Sequence, residues 1–164
     1  GVDVIGLQET RRDGQSSFAV AGYIALCSGC CSGHFEGSVQ SGSKGVGLAL
    51  NESLVHGAVC KQEFISDRLL KVAAELMGRS KAVTFVVGSA PTEASLEETK
   101  KSFWPELDSA DAQVPNKESL FELMDANART GKKGGGGGSE DSKVLAAYGH
   151  DALNDNCERL LSFA

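Results

Sequence analysis

The chain has 164 residues, 41% hydrophobic and 23% charged, which suits one globular domain with a sizeable core and excludes a disordered polypeptide. Its net charge of −6 argues against nucleic-acid binding driven by a strongly positive surface, although a local basic groove is compatible with that total. No apolar run reaches the roughly 18 residues of a membrane helix, so no membrane span is expected.

The opening GVDVIGLQET carries no basic segment or small-residue cleavage site, so no targeting peptide is read. Its run VDVIGL (2–7) predicts a buried strand, and the start inside a strand suggests a processed or truncated chain. RRDGQSS (11–17) predicts a loop and FAVAGYIALC (18–27) a second strand, followed by a turn-rich, mobile glycine–serine stretch over 28–45. GVGLAL (45–50) and VCKQEF (59–64) predict further extended segments. SDRLLKVAAELMG (66–78) reads two ways. Leu69, Leu70, Ala73, Leu76 and Met77 form a helical stripe behind a Ser66 cap, whereas Leu70, Val72, Ala74 and Leu76 alternate as in a strand; local pattern favours helix.

AVTFVVGSAPT (82–92) predicts the clearest strand, ended by Gly88 and Pro91. Ser95 and Glu98 form a capping box that opens a helix through Phe103 and Leu107, with Pro105 inside it as a kink or interruption. SLFELM (119–124) predicts a short strand, DANARTG leaves it, and GKKGGGGGSEDS (131–142) reads as a flexible insert. VLAAY (144–148) is a short apolar piece, and NDNCERLLSFA (154–164) predicts a final helix capped near Asn154 or Asp155. Strands mixed with few helices predict an α/β or α+β domain.

Candidate chemistry is sparse. Glu9 stands at the end of a predicted strand, where α/β proteins place ligands and where a magnesium ion would find an oxygen donor; a solvated strand end is the plainer reading. Asp125 and Asn127, two residues apart, would share a face if the strand continued, with the carboxylate orienting water and the amide holding a phosphate oxygen. Spacing alone favours an Asx turn there. Cys27, Cys30, Cys31 and His34 lack the second ligand pair of a structural zinc site. The five cysteines, an odd number, read as free thiols of a reducing, intracellular compartment. The lysines of the glycine run precede the glycines, unlike a phosphate loop, and His150 has no evident nucleophile beside it.

Taken in order, DVIGLQETR, KGVGLAL, SDRLL, VVGSAPT, LMDANARTG and LNDNCERLLSFA resemble the endonuclease/exonuclease/phosphatase superfamily. The resemblance is strongest to the apurinic-type endonuclease domains of non-LTR retrotransposons and their craniofacial-development-type relatives. It implies a two-sheet sandwich flanked by helices, here partial, as one incomplete domain over 1–164, with a strand rather than a helix across SDRLLKVAAEL. It further implies Glu9 as a magnesium ligand, with Asp125 and Asn127 activating water and holding the scissile phosphate while the ion stabilises the transition state.

The family pattern is broken at several places. Val87 and Ser89 stand where the family has asparagine and tyrosine, Met124 replaces a glycine, Ala126 an aromatic, and Glu122 enters an apolar strand. The chain also opens after the family's first strand and closes before its later catalytic aspartate and histidine. Because catalytic groups act as a unit, the expectation is an impaired endonuclease-like pseudoenzyme acting as a structural or protein-interaction subunit, with a protein partner covering incomplete sheet edges. The alternative is an active magnesium-dependent phosphodiester endonuclease, binding nucleic acid, whose remaining catalytic residues lie outside this chain.

Overall fold

The computed structural model describes residues 1–29, 44–129 and 154–163, together with the backbone of every strand and helix within them. Expectations for Cys30, Cys31, His34, the 131–142 insert, VLAAY and His150 fall outside the described residues. The fold is mixed α/β and mostly sheet, with eight strands in two four-stranded sheets and two helices among the described residues. The chain gathers into two compact units, Gly1–Ser89 with Glu106–Met124, and Ala90–Pro105 with Asp125–Ala164.

The first unit holds both sheets. In one, β1 (Val4–Gln8), β4 (Val46–Asn51), β3 (Tyr23–Ser28) and β2 (Gln15–Val20) lie side by side in that order, antiparallel throughout. The stretch 18–27 is therefore an arm-turn-arm and not one strand. Ala21 and Gly22 take φ of 50° and 80° between the paired residues Val20 and Tyr23, a two-residue turn whose twist matches that of the strands. Alanine carries no turn signal of its own, which is why the sequence hides this hairpin.

In the other sheet β5 (Val55–Phe64), β6 (Leu69–Leu76) and β7 (Val83–Ser89) are antiparallel, and β8 (Ser119–Asp125) adds beside β7. Phe121 stacks on Phe85 at 5.9 Å, and Met124 packs against Gly88, so β7 and β8 run the same way with α1 (Glu97–Ala112) in the crossover between them. The helix favoured by local pattern over 66–78 is not formed. Ile65 and Ser66 both donate to the Leu69 carbonyl, closing a hairpin from β5, and Phe64 pairs with Leu70. A strand flanked on both sides has most of its backbone groups occupied by its neighbours, and that outweighs a weak helical stripe.

Alternation then sorts the side chains. Leu70, Val72, Ala74 and Leu76 of β6 join Leu48 and Leu50 of β4 in one apolar cluster between the sheets, a sandwich-like core. Lys71, Ala73 and Glu75 consequently face the opposite side of the sheet. Lys71 is nonetheless buried, because α1 runs there: its ammonium donates to Gln113 Oε1 at 3.0 Å and to the Ala110 carbonyl at 3.4 Å, and pairs with Glu63 at 3.0 Å. The last turn of α1 holds no basic residue of its own, so a lysine from the sheet supplies the cation that its C-terminal carbonyls favour. The unit boundary falls inside α1, after Pro105, and the helix continues through that proline on its exposed face. The first helical bond runs from the Lys100 amide to the Leu96 carbonyl, while Ser95 pairs its hydroxyl with that of Thr92; the capping residue is thus one later than the Ser95–Glu98 box implies.

Within the second unit, Trp104 meets Phe103 edge-on at 5.4 Å and Phe163 of α2 (Asp155–Phe163) at 6.2 Å, and Glu97 joins Arg159 across the two helices at 3.7 Å. No helix among the described residues is long and apolar enough to cross a membrane.

Candidate functional site

Asp125 is the last residue of β8 and Asn127 lies just past it, where the chain turns; both belong to the second unit. Asp125 Oδ1 accepts the Asn127 amide N–H at 3.0 Å, closing an Asx turn, and Asn127 takes φ of 46°, a left-handed conformation that asparagine tolerates better than most residues. The two side chains therefore do not project side by side as from a continuing strand. Asn127 Nδ2 donates to the Ala90 carbonyl at 2.7 Å, and the Ala90 amide donates to the Asp125 carbonyl at 2.8 Å, so the turn is stitched to the segment that follows β7.

Two further asparagines close on the same point. Asn154 Nδ2 donates to the Asn127 carbonyl at 3.0 Å, while Asn154 Oδ1 accepts from the Arg129 amide at 2.9 Å and from the Cys157 amide at 3.1 Å. The last of these is the N-cap bond of α2, so the predicted cap at Asn154 does two tasks. Asn156 is 1% exposed and donates from Nδ2 to the Pro91 carbonyl at 2.5 Å and to the Asn127 carbonyl at 3.3 Å. Its Oδ1 is buried without a partner among the described groups. Asn154 is read in the sequence only as a cap and Asn156 not at all; the polar density of NDN inside an otherwise amphipathic helix start is the one signal that points to them.

Glu9 and Ser89 belong to the first unit. Glu9 is exposed at the end of β1 with φ of 53°, and Arg11 follows with φ of 54°. The intervening Thr10 amide donates to the Gly45 carbonyl at 3.0 Å and the Arg11 amide to the Lys44 carbonyl at 3.1 Å, which fixes this bend against the entry to β4. A glutamate in the left-handed region costs about 1 kcal/mol, and such strain gathers at sites of function or tight constraint. Ser89 is buried at the end of β7: its amide donates to the Arg68 carbonyl, and its carbonyl accepts from Arg68 Nη1, each at 3.0 Å. Among the described residues, no group of three or more histidine, cysteine, aspartate or glutamate side chains is gathered as a metal ion would require.

Two titrating groups stand apart from these positions. Burial pushes the Cys27 thiol above its ordinary range against the opposing pull of Arg12, which leaves it a protonated core residue rather than a nucleophile. Asp111, near the end of α1, is pushed up to about 7, first by burial and then by the neighbouring Glu122 carboxylate.

No family model and no curated protein matches this chain.

Proposed function

We infer that this chain is an endonuclease/exonuclease/phosphatase-like domain of retrotransposon-endonuclease type in which the Asp125–Asn127 turn is a structural joint, and that it acts as a structural or protein-interaction subunit rather than as a phosphodiesterase. The resemblance of six ordered motifs supports the family. One observation supports the loss of chemistry: Asn127 Nδ2, the group that would hold a phosphate oxygen, is engaged by the Ala90 carbonyl at 2.7 Å. Asp125 Oδ1, on the carboxylate that would orient water, accepts the Asn127 amide. A polar atom satisfied by backbone must break that bond to serve a substrate, and this opposes the tight preorganisation on which electrostatic catalysis depends. Ser89, standing where the family has tyrosine, is buried and lacks the reach of a phenol.

The test is nicking of supercoiled DNA by the purified protein with and without magnesium, beside Glu9→Ala and Asp125→Ala. The expected result is no magnesium-dependent nicking beyond the level that both variants retain. Nicking that requires magnesium and disappears in both variants overturns the reading and restores Glu9 as a metal ligand and Asp125 as a catalytic residue.

A further inference from the structure

The outer face of the second sheet carries a cleft that the reading above does not use. Its cavity of about 470 Å³ lies wholly within the first unit, between β5–β6–β7 and the loop that follows α1. This size falls in the range of small-molecule sites.

The cleft follows from the strand pattern. Core residues take the even positions of β6, so Ala73 faces outward, and it pairs with Lys61 on one side and Thr84 on the other. Ala73 and Ala82 are too small to fill the space over the sheet, and the floor dips. Val114 and Pro115 supply an apolar wall where the chain leaves α1. The charges around this floor are arranged unequally. Four lysines (61, 71, 81 and 117) and three glutamates (63, 75 and 118) line the cleft. Glu63 is paired with Lys71 at 3.0 Å and lies 3.9 Å from Lys61, whereas Glu118 accepts only the neutral Thr84 hydroxyl at 2.7 Å, a bond that leaves its charge unbalanced. Lys71 is itself held by Glu63, Gln113 and the Ala110 carbonyl, so it braces the wall and is not offered to a ligand. What the rim presents is Lys81 and Lys117, with Lys61 beside Glu63, against Glu75 and Glu118. A chain of net charge −6 thus keeps a small positive excess, four lysines against three glutamates, around one hollow with an alanine floor.

The geometry points to a binding site for a small organic anion, one carboxylate on a compact apolar body, with the body on Ala73 and Ala82 and the carboxylate toward Lys81 and Lys117. The pair between buried Lys71 and partly exposed Glu63 keeps the wall in place, and Glu75 and Glu118 disfavour a second negative charge. The ligand class is therefore a monoanion and not a polyphosphate or nucleic-acid backbone, which would need several free cations in a row.

Benzoate is the probe, with benzamide as its neutral isostere and benzylammonium as its cation, each titrated into the isotopically labelled protein while backbone amide shifts are followed. Benzoate is expected to give saturable shifts at Ala73, Ala82 and Val114, with benzamide weaker by about fivefold, the scale of one solvent-exposed charge contact, and benzylammonium weaker still. Ala73→Leu, which fills the floor, is expected to abolish saturation while leaving the remaining spectrum dispersed. Because that variant tests packing as well as binding, Lys81→Glu with Lys117→Glu provides a second reading on the exposed rim, with an expected loss of about tenfold in benzoate affinity and no change in melting temperature. Shifts that stay linear in benzoate, equal binding of the three probes, or benzoate binding untouched by both sets of variants overturns the site.

Discussion

The core between the two sheets and the asparagine corner of the second unit hold their segments by different means. Between the sheets, Leu48, Leu50, Leu70 and Val72 are fully buried and act through apolar contact, which is non-directional and indifferent to which aliphatic side chain fills the volume. At the corner, Asn127 accepts from Asn154 and Asn156 and donates to Ala90, and each bond fixes a particular atom at a particular distance. Many sequences could build the first. Few could build the second, because position 127 needs a short side-chain donor that reaches the Ala90 carbonyl in a residue that tolerates φ of 46°, while its backbone carbonyl receives Asn154 and Asn156.

This difference can be broken experimentally, beginning where the effect is largest. Leu70→Ala should lower stability by about 2–5 kcal/mol in urea unfolding, while Leu70→Met should cost less than about 1.5 kcal/mol. Equal losses from the two would show that the core is as specific in shape as the corner. Asn127→Ala should cost about 1–3 kcal/mol, since it removes the donor to Ala90 and places alanine in a left-handed conformation. Asn127→Asp, although isosteric, should rescue little because it removes the same donor. A stable Asn127→Ala protein would mean that the corner is decoration and would free Asp125 and Asn127 for substrate.

The smallest expected effect probes a third regime, in which a half-buried carboxyl rather than an amide is at stake. Asp111 titrates near 7 instead of 3.8, and its Oδ1 has no partner among the described groups. The folded protein holds that proton more tightly than the unfolded chain. The contribution to stability is therefore complete below about pH 4 and is lost as the pH rises through about 7. Asp111→Asn should flatten this slope and gain roughly 1 kcal/mol at pH 8, a value reduced for solvent screening. An unchanged slope in thermal melts between pH 4 and 8 would remove Asp111 from the account.

How far sequence reasoning reached follows the same division. The apolar runs of VDVIGL, GVGLAL and AVTFVVGS mark β1, β4 and β7; β4 and β7 are buried along their length, whereas β1 lies at the edge of its sheet and is only half-buried, short of the buried strand expected there. β6 defeats local pattern for a physical reason: Leu69 and Leu70 are both fully buried, one on each face, so its apolar residues imitate a helical stripe. The alternation of Leu70, Val72, Ala74 and Leu76 carries the strand reading too, but periodicity alone cannot rank it above the helical stripe. The Asx turn at Asp125 follows from residue type alone. Its ties to Ala90, Asn154 and Asn156 do not, since they span 27 to 37 positions of chain and leave no trace in spacing.

The bracing of Lys71 has a chemical consequence. Its ammonium, with 8% of the side chain exposed and three acceptors around it, should be shielded from amine-reactive reagents that readily modify Lys61, whose side chain is 72% exposed. Modification at Lys71 then requires the end of α1 to lift from the sheet, so its rate relative to Lys61 is a clock for that local opening.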